Sequence, residues 1–342
     1  MPSLWRIVTS SYFRNDDPRS SSGPWRVPLG FVRKAASSSD PHRMHPQDLQ
    51  SKLRDRAFVI TAEISPPLSS DPEHLLQRAR PLTGLADAIN ITDGAGARVH
   101  MSALAAAGLL VTHGFEPILQ LTCRDRNRIA LQSDMIGAAA LGVRNLLILT
   151  GDDPSAGDQP DAKPVFDLDS RQLIATAAGI RDSHQLPTGR QVAGRAEFFI
   201  GVADTPLDPP AGWRPVYLQQ KLAAGAQFVQ TQFCMDAGIV RRYAKRLAEE
   251  GVTERLSVLI GIAPLPSARS ALWIRERLPG SIVPDAVVER LARAGDPRTE
   301  GKRICIDLLH ELAQIPEVRG AHLMAPQNPA AIAEVLAEIR TA

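Results

Sequence analysis

From Ala57 onward the sequence alternates two textures. Short apolar runs rich in branched residues are each followed by a longer stretch with helical spacing, and the unit repeats about every thirty residues. The runs fall at 58–63, 88–92, 117–122, 145–150, 198–202, 228–232, 258–262 and 320–324. They are nearly continuous rather than alternating, as expected of parallel strands covered on both faces. The intervening segments 71–82, 101–111, 128–141, 172–182, 217–224, 238–250 and 267–277 read as amphipathic helices. In the first, Leu75, Leu76, Ala79 and Leu82 share one face, and Ser70 or Asp71 supplies the cap. Two further helices, 284–294 and 297–313, precede the last strand, and 329–339 follows it. Eight strand–helix units in ~250 residues predict a (β/α)8 TIM barrel with extra helices before the last strand. A doubly wound sheet is the alternative, but it usually has fewer strands and a glycine fingerprint after the first.

Composition narrows the class further. The 39 basic and 37 acidic residues leave a formal charge of +2, too even for a nucleic-acid binder. No uninterrupted apolar run reaches the ~18 residues that a transmembrane helix needs. Three cysteines, Cys123, Cys234 and Cys305, make no disulfide framework and suit a reducing, cytoplasmic setting. Residues 1–43 differ in character from the rest. Arg6, Arg14, Arg19, Arg26, Arg33, Lys34 and Arg43 face only Asp16, Asp17 and Asp40, among small serine clusters and without sustained periodicity. That stretch reads as a disordered or non-native N-terminal extension, with Met44 as a plausible start; an organellar transit segment has a similar composition. Residues 44–342 then form a single barrel domain, which leaves room for a homo-oligomer.

In such a barrel, chemistry gathers where strands end, because the following loops converge on one mouth. The polar residues at those ends are Glu63, Thr92 with Asp93, Thr122 with Cys123, Asp152 with Asp153, Asp204 and Gln232. Glu63 closes the first strand ahead of the stiff Ser65-Pro66-Pro67, and Asp152 follows Thr150-Gly151, where glycine permits a sharp bend. Any one of these could simply cap a strand; taken together they outline a site with one or two working carboxylates. Other motifs are weak. The Asp93–Val99 stretch imitates a dinucleotide fingerprint but holds Val99 at the third glycine position. The cysteines lack histidines at ligand spacing and read as buried structural thiols. His100, His113, His310 and His322 read as scattered helix or strand-face residues.

Six blocks carry a more specific resemblance: Glu63-Ile64-Ser65-Pro66-Pro67, Asn90-Ile91-Thr92-Asp93-Gly94-Ala95, Leu121-Thr122-Cys123-Arg124-Asp125-Arg126-Asn127, Leu149-Thr150-Gly151-Asp152-Asp153-Pro154, the 225–232 segment ending in Gln230-Thr231-Gln232, and Gly261-Ile262-Ala263-Pro264-Leu265. In this order they resemble the methylenetetrahydrofolate reductase family over roughly residues 58–325. The Cys-Arg-Asp-Arg-Asn form looks most like the reductase module fused to homocysteine methyltransferases in some bacteria.

The resemblance implies a barrel that binds FAD at its mouth, takes reducing equivalents from NADH or NADPH, and converts 5,10-methylenetetrahydrofolate to 5-methyltetrahydrofolate. Glu63 matches the family's general acid. Asp152 matches the carboxylate beside flavin and folate, whose fixed charge would stabilise a cationic iminium. Gln232 matches the folate-binding amide, with Ser270 at a further substrate position. Thr92, Gln120, Leu149, Thr150, Gly151, Asp152, Phe166, Asp167 and Lys221 match flavin-contacting positions. The chain departs from the pattern at Gln120, where many relatives have histidine, and at Asp204, where a tyrosine-like residue is usual. Ser270 and Ile274 stand where a glutamine and a phenylalanine are common. A carboxylate at Asp204 is expected to repel the phosphates of a flavin dinucleotide. Two other readings therefore stay open: a divergent reductase that works without bound flavin or receives electrons from a partner, and a folate-binding subunit without catalysis.

Overall fold

The computed structural model describes residues 48–325 and 328–341; the expectation for residues 1–43 lies outside them. Eight parallel strands close into a barrel in chain order: β1 (Val59–Ile64), β2 (Ala88–Ile91), β3 (Pro117–Thr122), β4 (Asn145–Leu149), β5 (Phe199–Asp204), β6 (Phe228–Phe233), β7 (Ser257–Ile262) and β8 (Val318–Leu323). The ring is sealed by β8 on β1, with Thr61 opposite His322. A short helix, α1 (Leu49–Arg54), precedes β1. After the first six strands come α2 (Pro72–Ala79), α3 (Ala103–Thr112), α4 (Arg128–Ala140), α5 (Ser170–Asp182), α6 (Val216–Ala223) and α7 (Ala237–Glu249). Between β7 and β8 lie α8 (Ala268–Arg277), α9 (Asp285–Arg293) and α10 (Pro297–Ala313), and α11 (Pro329–Thr341) follows β8. The expected (β/α)8 barrel with extra helices before its last strand is the fold.

Local chemistry sets the element ends. The Asp71 side chain accepts from Glu73 N, and Pro72 occupies the first turn, where its missing N–H costs nothing. The helix expected to run to Leu82 stops at Ala79, and 80–82 tighten into a 3-10 turn around Pro81, which cannot donate within the turn. Asp169 caps α5 through a reciprocal pair with Gln172, so the helix begins at Ser170, two residues before the expected start.

Two apolar layers hold the barrel. The larger fills the space between sheet and helices. The smaller occupies the barrel's own interior, where Val59, Ala88, Ile118, Leu147, Phe199, Phe228 and Leu259 meet Leu49 and Leu53 of α1. Thus α1 stoppers the N-terminal end of the barrel. It is fastened there by Leu49 N to Glu116 Oε1 (2.9 Å), Lys52 to Asp87 (2.7 Å) and Arg144 to Asp48 (3.6 Å). The Phe199 and Phe228 rings stack at 4.8 Å, and the Phe228 ring lies over Gly201, where an added Cβ would sit 2.2 Å from it.

That contact yields a graded test. Gly201→Ala should destabilise the protein by about 1–3 kcal/mol through overpacking. Gly137→Ala, in α4 with its nearest neighbour at 3.8 Å, should be neutral or stabilising by up to about 1 kcal/mol. Urea unfolding midpoints of the two variants would show the opposite signs; equal effects would contradict the packing described.

Candidate active site

At the C-terminal ends of the strands the barrel opens into a cavity of about 1210 Å³. Glu63, Thr92, Gln120, Leu149, Thr150, Gly151, Asp152, Lys221 and Gln232 all line it. Strand alternation explains the convergence. Side chains two residues apart point to the same face, so one inward row per strand rises from the apolar base to the rim. On β3 that row is Ile118, Gln120 and Thr122; on β6 it is Phe228, Gln230 and Gln232.

Beneath Glu63 lies a buried polar layer built from four strands. Asn90 and Gln230 pair through their amides, Nδ2 to Oε1 at 2.6 Å and Nε2 to Oδ1 at 3.1 Å. Gln230 Nε2 also donates to Thr61 Oγ1 (3.0 Å), and Thr61 Oγ1 lies 2.9 Å from His322 Nδ1. The opposite ring nitrogen, His322 Nε2, faces Glu63 Oε2 at 3.5 Å. Gln120 Nε2 donates to the same oxygen at 3.1 Å. Glu63 keeps 23% side-chain exposure, while His322 keeps 3%. Buried polar groups are tolerable only when satisfied, and this layer satisfies itself across β1, β2, β6 and β8.

The opposite wall is a corner made by the loops after β2, β3 and β4. Arg124, 3% exposed, grips Asp125 through both Nε and NH2 at 2.7 Å. It also donates to the backbone oxygens of Gly94 (3.2 Å) and Asp152 (3.4 Å). Gly151 has φ +98°, and a Cβ there would lie 2.9 Å from Arg124 Cβ, so the residue before Asp152 must be glycine for both reasons. Asp152 Oδ2 accepts from Gly96 N at 2.8 Å. The failed dinucleotide stretch is therefore a bracket for this carboxylate. Asp93, which also lines the cavity, accepts from Thr122 N (2.8 Å), Thr122 Oγ1 (2.9 Å) and Arg126.

A bulge between β6 and β7, over Gln230 to Phe233, sets the position of Gln232. Its Oε1 accepts from Phe233 N at 3.0 Å, which orients the amide. Lys221 Nζ donates to Ala203 O at 2.5 Å, and burial pulls its pKa down, with Asp204 opposing. Asp204 lines the cavity as expected. Burial pushes its carboxyl up, while the Tyr243 hydroxyl and the Lys221 charge work in the other direction. Its charge is thus partly matched by the protein itself.

Three residues expected at the site do not line the cavity. Phe166 is 42% exposed with φ +42°. Asp167 is gripped by Arg128 Nε (2.8 Å) and NH2 (2.7 Å), which hold its carboxyl down to about 2. Ser270 closes the capping box of α8 with Ser267. Neither Cys123 nor Cys234 lines the cavity; both are buried, and desolvation pushes their thiols up to about 11 and about 12. The residue missed from sequence is His322. The available signal was an imidazole inside the otherwise small and apolar 320–324 run.

A parallel (β/α)8 barrel whose strand ends bring Glu63, Asp152 and a set of amides around one cavity has the architecture of a small-molecule-binding barrel. More particularly, the family description "Methylenetetrahydrofolate reductase" matches residues 48–340, and the chain belongs to that family. A probable methylenetetrahydrofolate reductase (NADPH) from Caenorhabditis elegans is 26% identical over 248 residues, covering 70% of this chain and 34% of that protein. The chain therefore spans about a third of that curated relative. A solved structure from Clostridium thermocellum, described as an uncharacterized protein that binds two copies of 5-methyl-5,6,7,8-tetrahydrofolic acid, shares the fold with a TM-score of 0.59 at 13% identity. That match covers 86% of this chain and 99% of the other.

The loop corner makes its own prediction. Arg124→Met removes the donors to Gly94 O and Asp152 O and should cost about 1–3 kcal/mol. Hydrogen exchange should accelerate over 93–99 and 151–158 while the amides of β6 and β7 keep their protection. Unchanged exchange in both loops would show that Arg124 does not hold them.

Proposed function

We propose that this protein reduces 5,10-methylenetetrahydrofolate to 5-methyltetrahydrofolate with FAD as cofactor and NADH or NADPH as reductant. The single observation that carries the reading is the placement of Glu63, Asp152 and Gln232 in one cavity, with Glu63 seated on a hydrogen-bonded base. A volume of about 1210 Å³ exceeds the roughly 300–1,000 Å³ of ordinary ligand pockets, which suits a dinucleotide cofactor together with a second ligand.

The residues present fit a flavin. Leu147, Leu149 and Ala203 offer an apolar wall, and Thr92, Thr150 and Lys221 offer polar groups around it. When bound, FAD would carry a hydride from the nicotinamide to the folate. The protein's own residues do the rest. Glu63 gives a proton to the departing ring nitrogen as the aminal carbon–nitrogen bond breaks, leaving an iminium carbon able to accept hydride. Asp152, bracketed by Gly96 N, presents fixed negative charge toward that cation. Gln232, with Oε1 oriented by Phe233 N, offers its amide to the pterin edge. Arg128 takes up both oxygens of Asp167, so the flavin contact expected there is not part of this reading.

One observation favours a second reading, a reductase that works without flavin. Gln120, which stands where many relatives carry histidine, turns its amide donor to Glu63 rather than leaving it for a cofactor. A visible absorption spectrum of the purified protein separates the two: flavin bands bleached by anaerobic NADH support the first, and a colourless protein that turns over with NADH supports the second.

Glu63→Gln keeps the side-chain shape but removes the transferable proton. Folate reduction should fall by about 10²–10⁴-fold, while reduction of bound flavin by nicotinamide stays near wild type. Stopped-flow measurement of each half-reaction checks this; equal loss in both would remove Glu63 as the acid.

A further inference from the structure

We propose that His322 is a positioning residue for Glu63. Together with Gln120 it fixes Oε2 as an acceptor, so that the transferable proton is carried on Oε1. This rests on the proton-donor role of Glu63 proposed above.

The amides of Asn90 and Gln230 satisfy each other, which leaves the second Gln230 Nε2 hydrogen for Thr61 Oγ1. Thr61 Oγ1, already an acceptor, has one hydrogen to donate. His322 Nδ1 lies 2.9 Å away against 3.5 Å for Ala321 O, and the Gln230 amide nitrogen, which can only donate, also lies 3.5 Å from Nδ1, so the geometry favours Nδ1 as the acceptor. A ring nitrogen that accepts is unprotonated, and in a neutral imidazole the proton then resides on Nε2. That nitrogen lies 3.5 Å from Glu63 Oε2, at the outer limit of a hydrogen bond, while Gln120 Nε2 donates to the same oxygen at 3.1 Å. The Gln120 donor at 3.1 Å and the imidazole nitrogen at 3.5 Å together make Oε2 the poorer seat for a proton. Among the described residues no protein group bonds Oε1, and Glu63 retains its exposure to the cavity. The same two donors also stabilise the carboxylate that remains once the proton has left. Nothing in this arrangement requires His322 to touch the substrate.

The test combines spectroscopy and kinetics on the full chain. In ¹⁵N–¹H imidazole spectra, His322, assigned by its loss in His322→Leu, should appear as the Nε2–H tautomer. An Nδ1–H tautomer overturns the proposal. In turnover assays with methylenetetrahydrofolate and NADH, His322→Leu should lower kcat by roughly ten- to a hundredfold, below what removal of the acid itself costs, with KM nearly unchanged. His322→Gln, whose amide can place a donor near the old Nε2 position, should recover part of that loss. A kcat within twofold of wild type, or a defect confined to KM, overturns the proposal. Should His322→Leu fail to fold, His322→Gln assigns the resonance and Thr61→Val decides. It keeps the imidazole but removes the donor to Nδ1, and should shift the tautomer and lower kcat in parallel. A wild-type protein that reduces no folate with any donor would refute the proposed activity. The tautomer spectrum would still judge the assignment at His322.

Discussion

Every second side chain of a barrel strand points inward, and those positions must fill a narrow interior without leaving a polar group unpaired. The chain meets this constraint by level. At the base, Phe199 and Phe228 stack among aliphatic residues over the α1 leucines. At mid-height, Thr61, Asn90, Gln230 and His322 complete one another's hydrogen bonds. Only at the rim do side chains keep unfilled bonding capacity facing solvent. A half-satisfied middle level would be costly, and the wide polar rim would then have no firm base.

The rim is held differently on its two sides. Glu63 rests on strand residues whose positions the barrel register dictates. Asp152 sits on a loop and depends on Arg124, Gly96 and the bend at Gly151. The first arrangement gains precision from the sheet, and the second gains it from an arginine buried among backbone carbonyls. In the proposed reaction both groups would need such support, because small displacements weaken proton transfer and charge stabilisation.

Much of this was legible in the sequence. The apolar runs located every strand, because a strand covered on both faces is dominated by apolar residues and admits polar ones only where they find partners. Strand-end residues were found because each sits at a position that the run itself marks. The parts that were not legible have physical reasons. The α1 helix is only six residues long and takes its stability from the barrel base rather than from its own periodicity. His322 becomes meaningful only when β8 closes on β1, a contact between residues 261 apart in sequence. Loop residues follow no period, so Asp167, bound by Arg128, and Ser270, which caps its own helix, were placed by resemblance to positions that their side chains do not share with the cavity.

The stopper at the base has a consequence for traffic. Among the described residues, Leu49 and Leu53 lodge in the far end and leave no rear exit from the cavity along the barrel axis. Whatever binds deepest must arrive first and depart last through the same doorway. Any two molecules that compete for the floor beside Glu63 are thereby made to queue.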